Sequence, residues 1–129
     1  MAMIEALFSQ PNYLAAKKLL DATMLRHEAI ASNLANVETP GYKRLDVAPT
    51  FQGELQRALA GQNAEQIASI QPKVATDTTA IARGRDGNTV QLEEEMMRLS
   101  QNTLAHALET QLITGNLARL RLAITGHAT

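Results

Sequence analysis

Ala31-Ser32-Asn33-Leu34-Ala35-Asn36-Val37-Glu38-Thr39-Pro40-Gly41-Tyr42-Lys43 ends one helix and redirects the chain, and the layout of everything on either side follows from it. Pro40 disfavours helical geometry at Thr39 and cannot donate a backbone hydrogen bond. Gly41 can take positive φ, so the helix must stop near Asn36 to Glu38. The approach to the stop is dense in polar side chains: Ser32, Asn33, Asn36, Glu38 and Thr39 can all hydrogen-bond backbone or neighbouring amides. Asn33 and Asn36, three apart, share one helix face.

This block resembles the amino-terminal signature of the flagellar axial proteins, the rod, hook and hook-associated family. That signature reads Ala, Ser or Asn, Asn, Leu or Ile, Ala, Asn, Val or Ile, any residue, Thr, any residue, Gly, Tyr or Phe, Lys. Every fixed position is matched here from Ala31 to Lys43, through Asn33, Leu34, Asn36, Thr39, Gly41 and Tyr42, with Pro40 in the variable place before the glycine.

At 129 residues the chain is long enough for one compact unit with a core of ordinary size. Apolar residues make up 45% of it but aromatic ones only 3%, with no Trp, so burial must come from Leu, Ile, Met, Val and Ala, the composition of packed helices. A net charge of −1 gives no electrostatic reason to expect nucleic acid or an anionic membrane as partner. The absence of Cys excludes disulfides and thiolate metal sites. Met1 to Phe8 carries neither a basic region nor a long apolar run, so no cleavable secretory signal is expected, and no membrane-spanning stretch is evident. The family resemblance implies export through the flagellar type III apparatus without cleavage.

Before the signature, Gln10-Pro11-Asn12 reads as a break with Asn12 as N-cap, opening a helix from about Tyr13 to Asn36. Tyr13, Ala16, Leu20, Met24, His27, Ile30, Leu34 and Val37 fall at spacings of three and four, which predicts one buried stripe. His27 on that stripe reads as a core or interface residue and is assigned no chemistry.

After the signature, residues 44–88 lose periodicity and are punctuated by Pro49, Gly53, Gly61, Pro72, Gly84 and Gly87. They read as an irregular, partly extended connector. Phe51, Leu55 and Leu59 predict a short helix from Thr50 to Ala60 closed by Gly61. The run Ile67 to Ala82, with its central proline, allows only short extended pieces. A long connector of this kind is usually functional or ordered against a partner, which favours an assembly protein.

Asp86-Gly87-Asn88-Thr89 is a turn leading into a second long helix, with Asn88 or Thr89 as N-cap and Glu93, Glu94 and Glu95 at the positive end of its dipole. Consecutive glutamates point around a helix, so they read as a solvated face and not as a catalytic pair. From Thr89 to Thr125 the positions Leu92, Met96, Leu99, Thr103, His106, Thr110, Ile113, Leu117, Leu120 and Ile124 alternate by four and three as in a heptad repeat. A second stripe runs Val90, Met97, Leu104, Leu108 and Leu112. A helix of this length spans about 55 Å, against a diameter of about 36 Å for a compact chain of this size, which predicts an elongated molecule. Two stripes require two partners. Leu99, Ile113, Leu117 and Leu120 are expected against the amino-terminal helix, and Leu104, Leu108 and Leu112 against neighbouring subunits.

Asp86 to Val90 followed by Leu92 and Glu93 to Met96, and Leu120 to Gly126, resemble the carboxy-terminal region of the proximal rod members of the same family. The chain also lacks room for the β-rich domains of hook, distal-rod and hook-associated proteins. The expected fold is all-α. It is an elongated, coiled-coil-like bundle of two long terminal helices in a single rod-subunit domain, with residues 1–43 as amino-terminal helix and turn, 44–88 as connector and 89–129 as carboxy-terminal helix. The resemblance implies a structural, non-enzymatic subunit of the periplasmic basal-body rod that transmits torque, with no catalytic, cofactor or metal site. Its implied partners are its own kind, other rod proteins, the basal-body junction protein FliE and the export apparatus. The competing readings are a small helical adaptor or secretion chaperone using the same stripes on a soluble partner, and a sister proximal-rod subunit.

Overall fold

The computed structural model describes residues 10–125, with side chains for residues 11–115. Two long helices, α1 (Gln10–Ala35) and α4 (Leu92–Thr125), flank a middle segment containing β1 (Leu45–Val47), α2 (Thr50–Ala60), α3 (Ala64–Ser69) and β2 (Val74–Thr76). Helix α4, at 34 residues, is about 50 Å long at 1.5 Å per residue. The expectation of an all-α chain holds for the bulk of the structure, but β1 and β2 form a two-stranded antiparallel sheet pairing Leu45 with Thr76, Asp46 with Ala75 and Val47 with Val74.

The connector is therefore more ordered than its composition suggested. Helix α2 has the expected bounds. Phe51, Leu55 and Ala58 are buried on one side of it, and Leu59 packs at the edge. Gly61 ends it by donating its N–H to Arg57 O. The unforeseen α3 is capped by Asn63, whose side chain accepts from Gln66 N at 3.1 Å, and it buries Ile67. Val47, Phe51, Leu55, Ala58, Ile67 and Ile70 close onto Ala15 and Ala22 of α1 as the hydrophobic core. The alanines let the middle segment approach the α1 backbone closely.

Helix α1 thus serves two partners, and its fully buried residues are Ala15, Ala22, Thr23, Ala29, Ile30 and Asn33; of the expected stripe, Ile30 is buried and Tyr13, Ala16, Leu20 and Leu34 are half-buried. Met24 and His27 are exposed. Asn12 lies inside α1 rather than capping it, and Pro11 sits in the first turn, where its missing N–H costs no helical bond. Asn88 and Thr89 likewise precede α4, which begins at Leu92.

The line of α4 that faces α1 is also displaced from the expected one. Glu95, Leu99, Asn102, Ala105, Glu109 and Ile113 are buried or half-buried, while Met96, Thr103 and Thr110 are exposed. Both lines satisfy a three-and-four spacing. The observed one is chosen by polar partners on α1, which an apolar count passes over. Leu99 and Ile113, expected against α1, are half-buried on the side of α4 that carries Asn102; Leu117 and Leu120 lie outside the described side chains.

Candidate functional site

The signature block folds back on itself and then against the start of α4. Tyr42 N donates to Thr39 O at 3.2 Å, with Pro40 and Gly41 as the two central residues. Gly41 has φ +74°, the value a type II turn requires at its third position. A Cβ at Gly41 would meet nothing within 4 Å, so its requirement is the dihedral and not a close approach. Gly41 N donates to Asp86 O at 2.7 Å and Thr89 N donates to Tyr42 O at 3.0 Å, which lays the turn beside residues 86–89.

Asn88 is the other half of this joint. Its Nδ2 lies 2.8 Å from Asn36 O, 3.1 Å from Val37 O and 2.8 Å from Thr39 O, serving carbonyls that the end of α1 leaves without helical partners. Its Oδ1 accepts from Val90 N at 2.7 Å. Asn88 is thus a cap for the end of α1 supplied from 49 to 52 residues away in sequence. Asn36 braces the same end: Nδ2 donates to Ser32 O and Oδ1 accepts from Thr39 Oγ1.

Asn33 is fully buried and uses all four hydrogen-bonding positions of its amide. Oδ1 accepts from Leu45 N at 2.8 Å and from the Tyr42 hydroxyl at 3.2 Å; Nδ2 donates to Leu45 O at 2.9 Å and to Glu95 Oε2 at 3.2 Å. The side chain pairs with Leu45 as a neighbouring strand would, so it occupies the second edge of β1. Tyr42, also bonded to Ser32 Oγ at 2.9 Å, holds the returning chain in place.

Next to Asn33 lies a feature that the sequence reading passed over. The Arg44 guanidinium is buried, with Nε 2.6 Å from Glu95 Oε1 and Nη1 bonded to Asp46 and Asp77. Arg26 bonds Asp46 at 3.0 Å and Arg98 bonds Glu95 at 3.2 Å, so three cations face three carboxylates. Burial works against the Arg44 charge, but the bonds to Glu95, Asp77 and Asp46 outweigh it and hold its pKa above the ordinary value. Burial also opposes ionisation of Asp46, yet Arg26, the Val47 N–H and Arg44 together keep it below the usual carboxylate range. Asp77 is lowered in the same way, against burial, by Thr79 and Arg44. Glu95, expected on a solvated face, is instead fully buried, because α1, β1 and the loop after β2 converge on the first turn of α4.

The remaining predicted residues fall into two groups. Leu34 and Tyr42 are half-buried and Val90 is buried in the joint, whereas Thr39, Pro40 and Gly41 present its outer surface. On α4, Met97, Leu104, Leu108 and Leu112 form an outward apolar row, with the three leucines 62%, 55% and 65% exposed, and Met96 is 50% exposed beside it. Turned at 100° per residue, this row lies on the side of α4 away from Leu99, Asn102 and Ile113. Among the described residues no group of three or more His, Asp or Glu could hold a metal ion. No helix among them is long and apolar enough to cross a membrane.

Comparison with known proteins follows the same residues. A family model described as "Flagella basal body rod protein" matches residues 20–43, which end at the Gly41 turn. The chain is 30% identical to the flagellar basal body rod protein FlgB of Borrelia hermsii, over 84% of this chain and 92% of that one. It is 27% identical to FlgB of Aquifex aeolicus, over 87% of this chain and 91% of the relative. With FlgB of Escherichia coli K12 it shares 26% identity, over 78% and 83%.

Proposed function

Because the chain belongs to the flagellar basal body rod proteins of the FlgB type, and is by that membership a structural part of the basal-body rod, we propose that it builds the proximal rod through contacts between terminal helices of adjacent subunits. The whole chain acts as one subunit domain, and the rod it forms lies in the periplasm and transmits torque. Its neighbours are further copies, other rod proteins and the junction protein FliE, and it reaches them through the type III export apparatus.

The outward row of Leu104, Leu108 and Leu112 carries this reading, because a strip of large apolar side chains on the side of α4 away from α1 has no cover within the described residues. Contacts that repeat around a tube resist torsion without any covalent link, and a heterologous contact propagates instead of closing. The joint at Gly41 and Asn88 fixes how α1 and α4 diverge, so it sets the angle at which that row is presented.

Leu108→Asp tests the proposal. A charge in an apolar contact costs several kcal/mol, repeated at every equivalent contact, so assembly should fail. Leu108 is exposed in the isolated chain, so the fold should survive. Fractionation should find the variant exported but unassembled, and electron microscopy should find basal bodies without rods. Normal rods containing the variant would show that Leu108 meets no neighbour.

A further inference from the structure

The three-and-four spacing of α1 and α4 predicts a covered stripe on each helix, and the structure leaves part of both stripes open along one cleft. Thr23 and Asn102, both buried, form its floor; Met24 and His27 on α1 stand across it from Thr103 and His106 on α4, and all four are exposed. Its volume is about 370 Å³. The helices run antiparallel, since Asn33 meets Glu95 near one end and Thr23 meets His106 further on. Two turns from the cleft's walls, Ala31 follows Met24 and Met96 precedes Thr103, so these exposed residues carry the same open side toward the joint. Met24 is 54% exposed and Met96 50%. The middle segment packs on Ala15 and Ala22 of α1 and does not line the cleft. Two helices that turn spaced stripes to one cleft present the seat for a third.

We propose that this third helix is α4 of a neighbouring copy, whose outward row of Leu104, Leu108 and Leu112 enters the cleft; the proposal rests on the chain's role as a rod subunit and names the surface that its apolar row meets. The lengths agree: Leu104 to Leu112 spans about 12 Å along α4, and Met24 to Ala31 about 10 Å along α1, at 1.5 Å per residue. Charge agrees as well. Between Leu99 and Gly115 the one charged residue besides histidine is Glu109, which bonds Thr23 on the α1 side, so the row enters without stripping water from a charge. The Gln101 and Gln111 amides that border the row are exposed and can hydrogen-bond Glu28 and His27 at the cleft's rim. Leu108 lies about 200° around α4 from His106, so row and cleft face different ways on one subunit. Each copy therefore offers a row to one neighbour and a cleft to another, and such a contact propagates instead of closing.

The chain contains no Cys, so thiols can be placed one at a time. Met24 and Leu108 are each more than half exposed, so Met24→Cys and Leu108→Cys should fold. Basal bodies are isolated from cells whose only copy of the chain carries both substitutions and are treated with a short bis-maleimide, which bridges thiols without the tight geometry of a disulfide. A ladder of covalent multimers should form, with residues 24 and 108 joined in mass spectrometry of the linked peptides, and neither single variant should give it. Rods that contain the double variant without that link, or a Leu108→Cys chain that links to itself, would overturn the proposal and leave the rod role standing. Met24→Asp, tested separately, should leave the chain folded, exported and unassembled, as Leu108→Asp does; normal rods built from it would overturn the proposal even if the double variant were kept out of rods. Absence of the unsubstituted chain from basal bodies would instead overturn the rod role, and the proposal with it.

Discussion

Replacing Arg44 by Met removes the guanidinium and keeps most of the side-chain volume, which isolates the electrostatic part of the joint. Glu95 is left fully buried with one bond from Asn33 Nδ2 and one from Arg98. Arg98 is about one-third exposed, so solvent screens what it can return. Asp46 keeps Arg26, and Asp77 keeps its bonds to Thr79, so the loss concentrates on Glu95. Removing one partner of a buried pair costs about 3–5 kcal/mol, a large share of the roughly 5–15 kcal/mol that holds a domain folded. At a chain length of 129 residues this lowers the melting midpoint by about 10–20 °C. The assay is urea unfolding followed by circular dichroism at one fixed protein concentration, since self-association would add to apparent stability. Adding Glu95→Gln keeps the carbonyl that accepts from Asn33 and discards the stranded charge. The double variant should therefore regain about 2 kcal/mol over Arg44→Met. A single-variant loss below about 1 kcal/mol, or a double variant no more stable than the single, would refute the claim that the pair is what matters.

Gly41→Val should cost about 1–2 kcal/mol and abolish swimming, because the open space around Gly41 leaves only its +74° dihedral to object. Gly41→Asn, which tolerates that dihedral, should swim; equal motility of the two variants would remove the turn from the argument. Acid should destabilise the fold through Asp46 and Asp77. Their folded pKa values are lowered, so their stabilisation is present above the ordinary carboxylate value near 4 and is lost as pH falls through the lower folded values. Unfolding measured from pH 5 to pH 2 should steepen in this window, and Asp77→Asn should flatten the slope.

Elements whose determinants are local were legible in the sequence. The turn was marked by Pro40 and Gly41, and α2 by Phe51, Leu55 and the closing Gly61. The family signature was legible for the same reason, since its asparagines crowd a helix end. What stayed hidden depends on pairs distant in sequence. Arg44 follows the signature directly, and nothing near it announces Glu95, 51 residues on, or Asp77, 33 residues on. Arg44 stands after Lys43 and directly before β1, and a second basic residue there reads as solvent-facing, since an unpaired charge would not be buried. Asn88 read as a helix cap and is one, but for the end of α1 instead of the start of α4. The connector's sheet was missed because three-residue strands carry too short a pattern to show a period.

The misplaced stripe on α4 follows from how its faces are used. Apolar periodicity locates the side a helix hides from water, and on a self-contained helical pair that side faces the partner helix. Here Glu95, Asn102 and Glu109 face α1, and Met97, Leu104, Leu108 and Leu112 face outward. The intramolecular contact is thus directional, fixed by hydrogen bonds such as Asn102 to Thr23 O and Asn33 to Glu95, which fail if α4 slides by one residue along α1. Burying the outward side chains is worth about 25 cal/mol for each Å² removed from water, and that stabilisation is realised only where another surface covers them. Under the proposed rod assembly, the polar contact fixes the register of the two helices, and the apolar row supplies the free energy for joining subunits. Substitutions should separate accordingly: changes at Asn33, Glu95 or Asn102 unfold the subunit, while changes at Leu104, Leu108 or Leu112 leave it folded and unassembled.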